Sequence, residues 1–370
     1  MSRSRFSNVA VFTILILELC GNGCCNLREG SGVEACFDEA WDSSKFAKLS
    51  DVGHSLKGGA AEIGCHLATQ AEGLVLITAD DTFISSLTPL DFRLRLGREN
   101  ATAGDYKEFA SRQLRDFSES DRLAISNAFA RLNRRFAAIG FKCPLTNDVV
   151  LVKTTMREEF RAAGYTRGSV VYLRAGLPSN ASDRELDWIL AHEVFHVLSR
   201  QSPEFRRRMY EAFGFFLCEE PKFSEEVRAH IVTNPDVERY DCKGVFTIDG
   251  KPTEATIVTY LPDVNCRPRD FFRKVCPAVV PISQPDRVLR TEEVPDFWKV
   301  VGKNTGYVIS AEECLADNFA LALMVFDDPE AMSTLPNPEI TRNIISVLKG
   351  EGKPLKNAKT GGVTAPEELR

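Results

Sequence analysis

The chain has no excess of positive charge: 46 Lys and Arg stand against 52 Asp and Glu over 370 residues, a formal net charge of −6. Phosphate backbones are bound by basic surfaces, so nucleic acid is excluded as the main partner. The run Arg206-Arg207-Arg208 is a local exception and reads as a solvated helix face. No apolar run reaches bilayer length either. The longest, Val9 to Leu17, is interrupted by Thr13 and stopped by Glu18, which excludes a stable membrane span. No C-x-x-C pair occurs, which removes zinc ribbons and dithiol redox sites. Repeats and low-complexity tracts are absent. Histidine is scarce, with five in the whole chain, so any pattern made of histidines carries information.

What is present begins with an address. Arg3 and Arg5 precede the short apolar stretch, and Gly21-Asn22-Gly23 follow it, the order of a secretory signal over residues 1–25. Cys20, Cys24 and Cys25 also leave room for a lipoprotein anchor. The expected location is therefore secreted, periplasmic or cell-surface. Eight of the eleven cysteines (Cys36, Cys65, Cys143, Cys218, Cys242, Cys266, Cys276, Cys314) lie beyond that segment. An even number in an exported chain predicts disulfides, with residues 218–276 stapled locally. Residues 26–104 have weak periodicity and read as an extension or small subdomain, either a propeptide or a separate module. Residues 105–335 form the main domain, with 218–276 as a cysteine-containing insertion, and 336–370 a C-terminal helix with a tail that frays. An apolar fraction of 44 % supports an ordinary core.

From residue 105 onward the elements sharpen. Ser118 with Asp121 starts a helix carrying Ile125, Phe129, Leu132, Phe136 and Ile139 at helical spacing, and Gly140 ends it. The segments 149–154 and 169–174 are short, β-branched and bounded by Asn, Asp and Gly, as strands are. Ser182-Asp-Arg-Glu185 is a capping box that opens the next helix.

That helix contains Ile189-Leu-Ala-His192-Glu193-Val-Phe-His196-Val-Leu-Ser199. Leu186, Leu190, Val194 and Val197 share one stripe, while His192 and His196 lie one turn apart on another. Two imidazoles so placed can share one zinc ion at little entropic cost. Glu193, beside the first imidazole but rotated off it, suits a base that works on water. A third donor from a metzincin-type continuation would need Gly and His where Ser199 and Ser202 stand, which excludes that class. His230 is isolated, as structural histidines are. Glu313 and Asp317 sit four apart on an apolar helical segment, so both carboxylates share a face. Glu313 can complete a His-His-Glu site, and Asp317 can accept a ring N–H and fix the tautomer of a ligating histidine.

His192-Glu193-x-x-His196 followed by Glu313-x-x-x-Asp317 resembles the gluzincin metallopeptidases, the thermolysin-like branch of the zincins. The stretch TGYVISAEECLADNFAL (305–321) is similar to one in secreted zinc metallopeptidases. The resemblance spans residues 118–325 as an order of elements but is specific only at the two motifs, and the gap between them is longer than in thermolysin-like enzymes. It implies an α+β zincin-like fold: a small twisted sheet, an active-site helix and a mostly helical second half. It implies one Zn2+ per chain held by His192, His196 and Glu313, with Glu193 as general base and acid and Asp317 supporting a ligand. Tyr307, with His230 and Tyr260 as weaker alternatives, is then the oxyanion donor. The expected activity is hydrolysis of protein or peptide substrates by a zinc-activated water, with strand 169–174 as the edge that pairs with substrate. Two other readings stay open: a non-catalytic binding protein on this fold, and a zinc amide hydrolase with a non-protein substrate.

Overall fold

The computed structural model describes residues 62–351; the expected signal over residues 1–25, Cys36, His54, the start of the expected extension and the C-terminal tail lie outside them. The described chain is α+β. It begins with strand β1 (Cys65–Leu67) and, besides the short helix Thr82–Ser86, three longer helices, α1 (Gln70–Thr78), α2 (Pro89–Leu96) and α3 (Ala103–Ser111). Each of these three starts on a threonine capping box: Thr69 with Glu72, Thr88 with Asp91, Thr102 with Asp105. Strand β2 (Leu114–Arg115) leads to α4 (Glu119–Ile139), which runs from the Ser118–Asp121 box to Gly140 at φ 84°. Its buried face is the expected one, Ile125, Phe129, Leu132, Phe136 and Ile139. Three strands follow, β3 (Val149–Thr154), β4 (Gly164–Arg167) and β5 (Val170–Arg174).

The first sheet runs β1-β3-β5-β4, with β2 beside the far end of β3. β1, β3 and β5 are parallel, whereas β4 is antiparallel to β5. This corrects the expected substrate edge. β5 is interior, between β3 and β4, and β4 is the edge strand. The short Tyr165–Arg167 run, entered from Gly164 and turned by Gly168, is too brief for pattern reading to separate it from the turn.

Helix α5 (Asp183–Gln201) lies under this sheet, starting at the Ser182–Glu185 capping box. It is followed by α6 (Pro203–Phe213) and then by a second, wholly antiparallel sheet ordered β10-β9-β8-β7-β6. Its strands are β6 (Phe216–Leu217), β7 (Cys242–Ile248), β8 (Lys251–Tyr260), β9 (Cys276–Pro281) and β10 (Leu289–Arg290). Helices α7 (Ala311–Val325) and α8 (Pro338–Leu348) close the core. Because α4, α6, α7 and the first sheet surround α5, its residues 185–199 are buried all round except for half-buried Ile189. Phe195, fully buried, meets Phe205 and Phe319 with ring centroids 5.9 and 5.3 Å away. Removing such a ring costs about 3–5 kcal/mol.

All seven cysteines among the described residues are free thiols. In the expected stapled region, Leu217 stands opposite Cys242 and Cys218 N–H donates to Asp241 O. Alternation along paired strands therefore turns Cys218 and Cys242 to opposite faces, and a hydrogen-bonded meander holds the region instead. No helix among the described residues is long and apolar enough to cross a membrane.

Candidate metal centre

α5 and α7 pack against each other and bring two distant motifs into contact. His192 Nε2 lies 3.1 Å from Glu313 Oε2, and His196 Nε2 lies 3.6 Å from the same oxygen. Tetrahedral ligands about 2.1 Å from a zinc are spaced about 3.4 Å apart, so both histidine–glutamate spacings suit a shared ion, and all three donor atoms lie within 4.8 Å of one another. Each imidazole is oriented from behind. His192 Nδ1–H donates to Asp317 Oδ1 at 3.1 Å, and Trp188 Nε1–H donates to the same oxygen at 3.3 Å. His196 Nδ1–H donates to Glu312 Oε1 at 3.2 Å. Glu312 is itself fixed by Ser199 Oγ at 3.2 Å and by the Tyr210 hydroxyl. Both rings thus present Nε2 to Glu313, the tautomer that a metal ligand needs.

The helix start explains why Glu313 points inward. Ser310 Oγ accepts Glu313 N–H, setting the first turn of α7, and Asn234 Nδ2 and the Tyr307 hydroxyl donate to Glu313 Oε1, the latter at 3.4 Å. Oε2 is left to face the histidines. Tyr307 also stacks obliquely near His192, with ring centroids 6.1 Å apart. Glu193 faces the edge strand: its Oε2 accepts the Thr166 hydroxyl at 2.7 Å, and a Cβ placed on Gly164 would stand 2.8 Å from its Oε1.

The centre is deeply buried and short of cations. Glu193, Asp236, Glu312, Glu313 and Asp317 are each at most 7 % exposed, and His196 is fully buried. Among the described residues neither Glu193 nor Glu313 has a Lys or Arg partner, and His196 Nε2 makes no hydrogen bond. Arg200 acts on Asp236 and Arg206 on Glu312 only through space, so five enclosed carboxylates facing two imidazoles keep an excess of negative charge that a cation would offset. The pKa shifts express the same deficit. Burial works against the charged form of both histidines, yet Asp317 and Glu313 hold His192 well above its ordinary range, and Asp236, Glu312 and Glu313 push His196 up to about 9. Burial pushes Glu193 and Asp236 up; repulsion from Glu313 adds to both, and that from Glu193 adds to Asp236. Burial is overcome at Glu313, which the two histidines hold well below the usual carboxylate range. A divalent cation would take the place of the protons held on the imidazoles.

The structure brings His192, His196, Glu313, Asp317, Glu193 and Tyr307 together. His230 it places elsewhere: Nδ1–H donates to Leu261 O at 2.8 Å and the ring stacks on Tyr260, 5.2 Å between centroids. Four contributors escaped the sequence reading. Glu312 passes for a helix-start acid, Thr166 lies in the strand that was missed, and Asn234 and Asp236 lie in a loop with no periodicity. The signal for that loop is local: a polar Thr-Asn-Pro-Asp run directly after the apolar pair Ile231-Val232. Asp236 forms a second cluster with Glu193 and His196, their candidate ligand atoms all within 4.8 Å of one another. Comparison with known protein families, curated proteins and solved structures finds no match.

Proposed function

We propose that the protein is an exported zinc-dependent peptidase of gluzincin type, with a zincin-like arrangement of β4, α5 and α7 around one zinc per chain. The observation that carries this reading is the convergence of His192 Nε2, His196 Nε2 and Glu313 Oε2, from positions 121 residues apart in the chain, around a nitrogen with no other partner. His192, His196 and Glu313 would hold the ion, with Asp317 and Glu312 fixing the two rings. When bound, zinc supplies Lewis acidity toward a carbonyl and lowers the pKa of water.

The remaining work falls to this chain's own side chains. Glu193 accepts the proton of the attacking water at a carboxylate oxygen and returns it to the leaving nitrogen. The Thr166 hydroxyl fixes the other oxygen, so the carboxylate keeps one orientation in both steps. Tyr307, beside Glu313 and the His192 ring, donates to the oxyanion as it forms. An extended peptide pairs with the outward edge of β4, which brings its backbone past Gly164, where the missing side chain leaves room beside Glu193.

The test is zinc content per purified chain followed by a peptide-library digest. The wild type is expected to retain one zinc and to cut peptides; Glu193→Gln keeps the zinc and loses cutting, and Glu313→Gln loses the zinc. A folded wild type that takes up no zinc, or a Glu193→Gln protein as active as the wild type, overturns the reading.

A further inference from the structure

The loop that follows His230 lies across the centre. Residues 232–237 contain no helix or strand, yet Val232, Thr233, Asp236 and Val237 are buried. One end of this segment is anchored to α2: Thr233 N–H donates to Asp91 Oδ1 at 2.9 Å, its hydroxyl donates to Asp91 Oδ2 at 2.8 Å, and its carbonyl accepts Arg95 Nη2 at 2.7 Å. The other end is tied to the edge strand. Asp236 Oδ1 accepts Thr166 N–H at 2.6 Å, and Arg200 bridges Thr166 O and Pro235 O at 3.1 and 3.0 Å. Thr166, like Gly164 two residues before it, turns its backbone groups away from β5, so the contacts to Thr166 occupy hydrogen bonds that an added strand would use there.

The space around the segment agrees with this placement. Two cavities, of about 170 and 230 Å³, flank it and share Val237 and Glu238 as a wall. Neither is lined by His192, His196 or Glu313, whereas Asp236 lines the second. Its carboxylate also takes a specific position. A water that Glu193 deprotonates must lie within about 3.2 Å of that carboxylate, and about 3.4 Å from a tetrahedral ligand such as His196 Nε2. Asp236 Oδ1 stands 3.9 Å from His196 Nε2, in one cluster with Glu193.

We propose that residues 233–238 form an inhibitory strap that holds the peptidase closed, with the Asp236 carboxylate in the place of the attacking water. Substrate enters when the strap leaves β4, its carbonyl replacing Asp236 on Thr166 N–H. This rests on the peptidase reading for its consequence but on the loop's own contacts for its geometry.

Two measurements on Asp236→Ala separate them. In protein without added metal, hydrogen exchange at the Thr166 amide should be about tenfold faster than in the wild type, since exchange follows the open population. Equal exchange overturns the strap. In zinc-loaded protein, peptide cutting should rise about tenfold as the competent fraction rises, with zinc content held. Cutting that falls while zinc is retained makes Asp236 part of the chemistry and overturns its inhibitory role. Should Asp236→Ala fail to fold, the isosteric Asp236→Asn is used: it removes the charge that competes for the cation, so turnover rises, and unchanged or lower turnover overturns the proposal. A wild type that binds no zinc sinks the peptidase reading, while the exchange result still decides whether the strap exists.

Discussion

Single atoms set the tolerances of this centre. Gly164 is the sharpest case, because an added Cβ would meet Glu193 Oε1 at 2.8 Å and the Tyr172 carbonyl at 3.1 Å. The carboxylate is the softer neighbour and would turn away. Gly164→Ala should therefore lower turnover by roughly 10–100-fold, the scale of a small misplacement of a reacting group, while zinc content stays at the wild-type level. Equal turnover would mean that Glu193 does not need its present orientation. Glu158 offers an independent check far from the histidines. It is fully buried, with Thr154 Oγ1–H donating to Oε1 and no partner at Oε2, and burial, with Glu159 adding repulsion, pushes its pKa up to about 7. Below the ordinary carboxylate range the group is protonated folded and unfolded alike. Between its ordinary value of 4.5 and 7 the folded chain keeps a proton that the unfolded chain has released, so stability falls as pH rises through that window and levels off above it. Glu158→Gln removes this slope of up to about 1.4 kcal/mol per pH unit, and denaturant titrations at pH 5 and pH 8 should show the variant gaining on the wild type at the higher pH. Parallel curves would place the proton elsewhere.

Helices and strands reached their places by rules of different reach. The two helices that combined an apolar period with a Ser capping box were legible: α4 between Ser118 and Gly140, and α5 from Ser182. α1 to α3 were not, although each carries a capping box, because each is short and α1 and α2 show little apolar periodicity. β4 was missed for its length, and with it the true edge of the sheet. At the site, residues on helices were readable because a spacing of four implies a shared face, which served His192 with His196 and Glu313 with Asp317. Asn234 and Asp236 were not, since a loop has no period and its destination depends on anchors 140 residues upstream. The α5 start permits a direct test. Ser182 Oγ accepts Glu185 N–H while Glu185 Oε2 accepts Ser182 N–H at 2.8 Å. Ser182→Ala should cost about 1 kcal/mol, visible as a lower thermal midpoint with zinc content intact. An unchanged midpoint would mean that packing alone fixes where this helix begins.

Across the whole molecule, one buried ion cluster joins pieces that are remote in sequence. Arg95 bonds Asp91 at 2.9 Å, both oxygens of Glu159 at 2.8 Å, and the Thr233 carbonyl, while its guanidinium lies 5.1 and 5.4 Å from the Phe160 and Phe83 rings. Residues 83–95, the segment between β3 and β4, and the 233–238 loop thus share one cation. Arg95→Ala would leave two buried carboxylates without a counter-charge, although Thr233 still donates to Asp91 and Tyr106 to Glu159, at a cost of about 3–5 kcal/mol read from denaturant unfolding. A loss under 1 kcal/mol would show that water reaches the cluster and that the three pieces are held by their apolar contacts.

The distance along the chain between His192 and Glu313 also has a meaning in time. A ribosome adding about 5–20 residues per second needs roughly 6–24 s to pass from one to the other, 121 positions later. Throughout that interval the emerging polypeptide carries both imidazoles but no third donor, and α5 has no α7 to lie against. Assembly of the centre therefore waits until α7 has been made, and on the peptidase reading proposed above no complete metal site exists before that point.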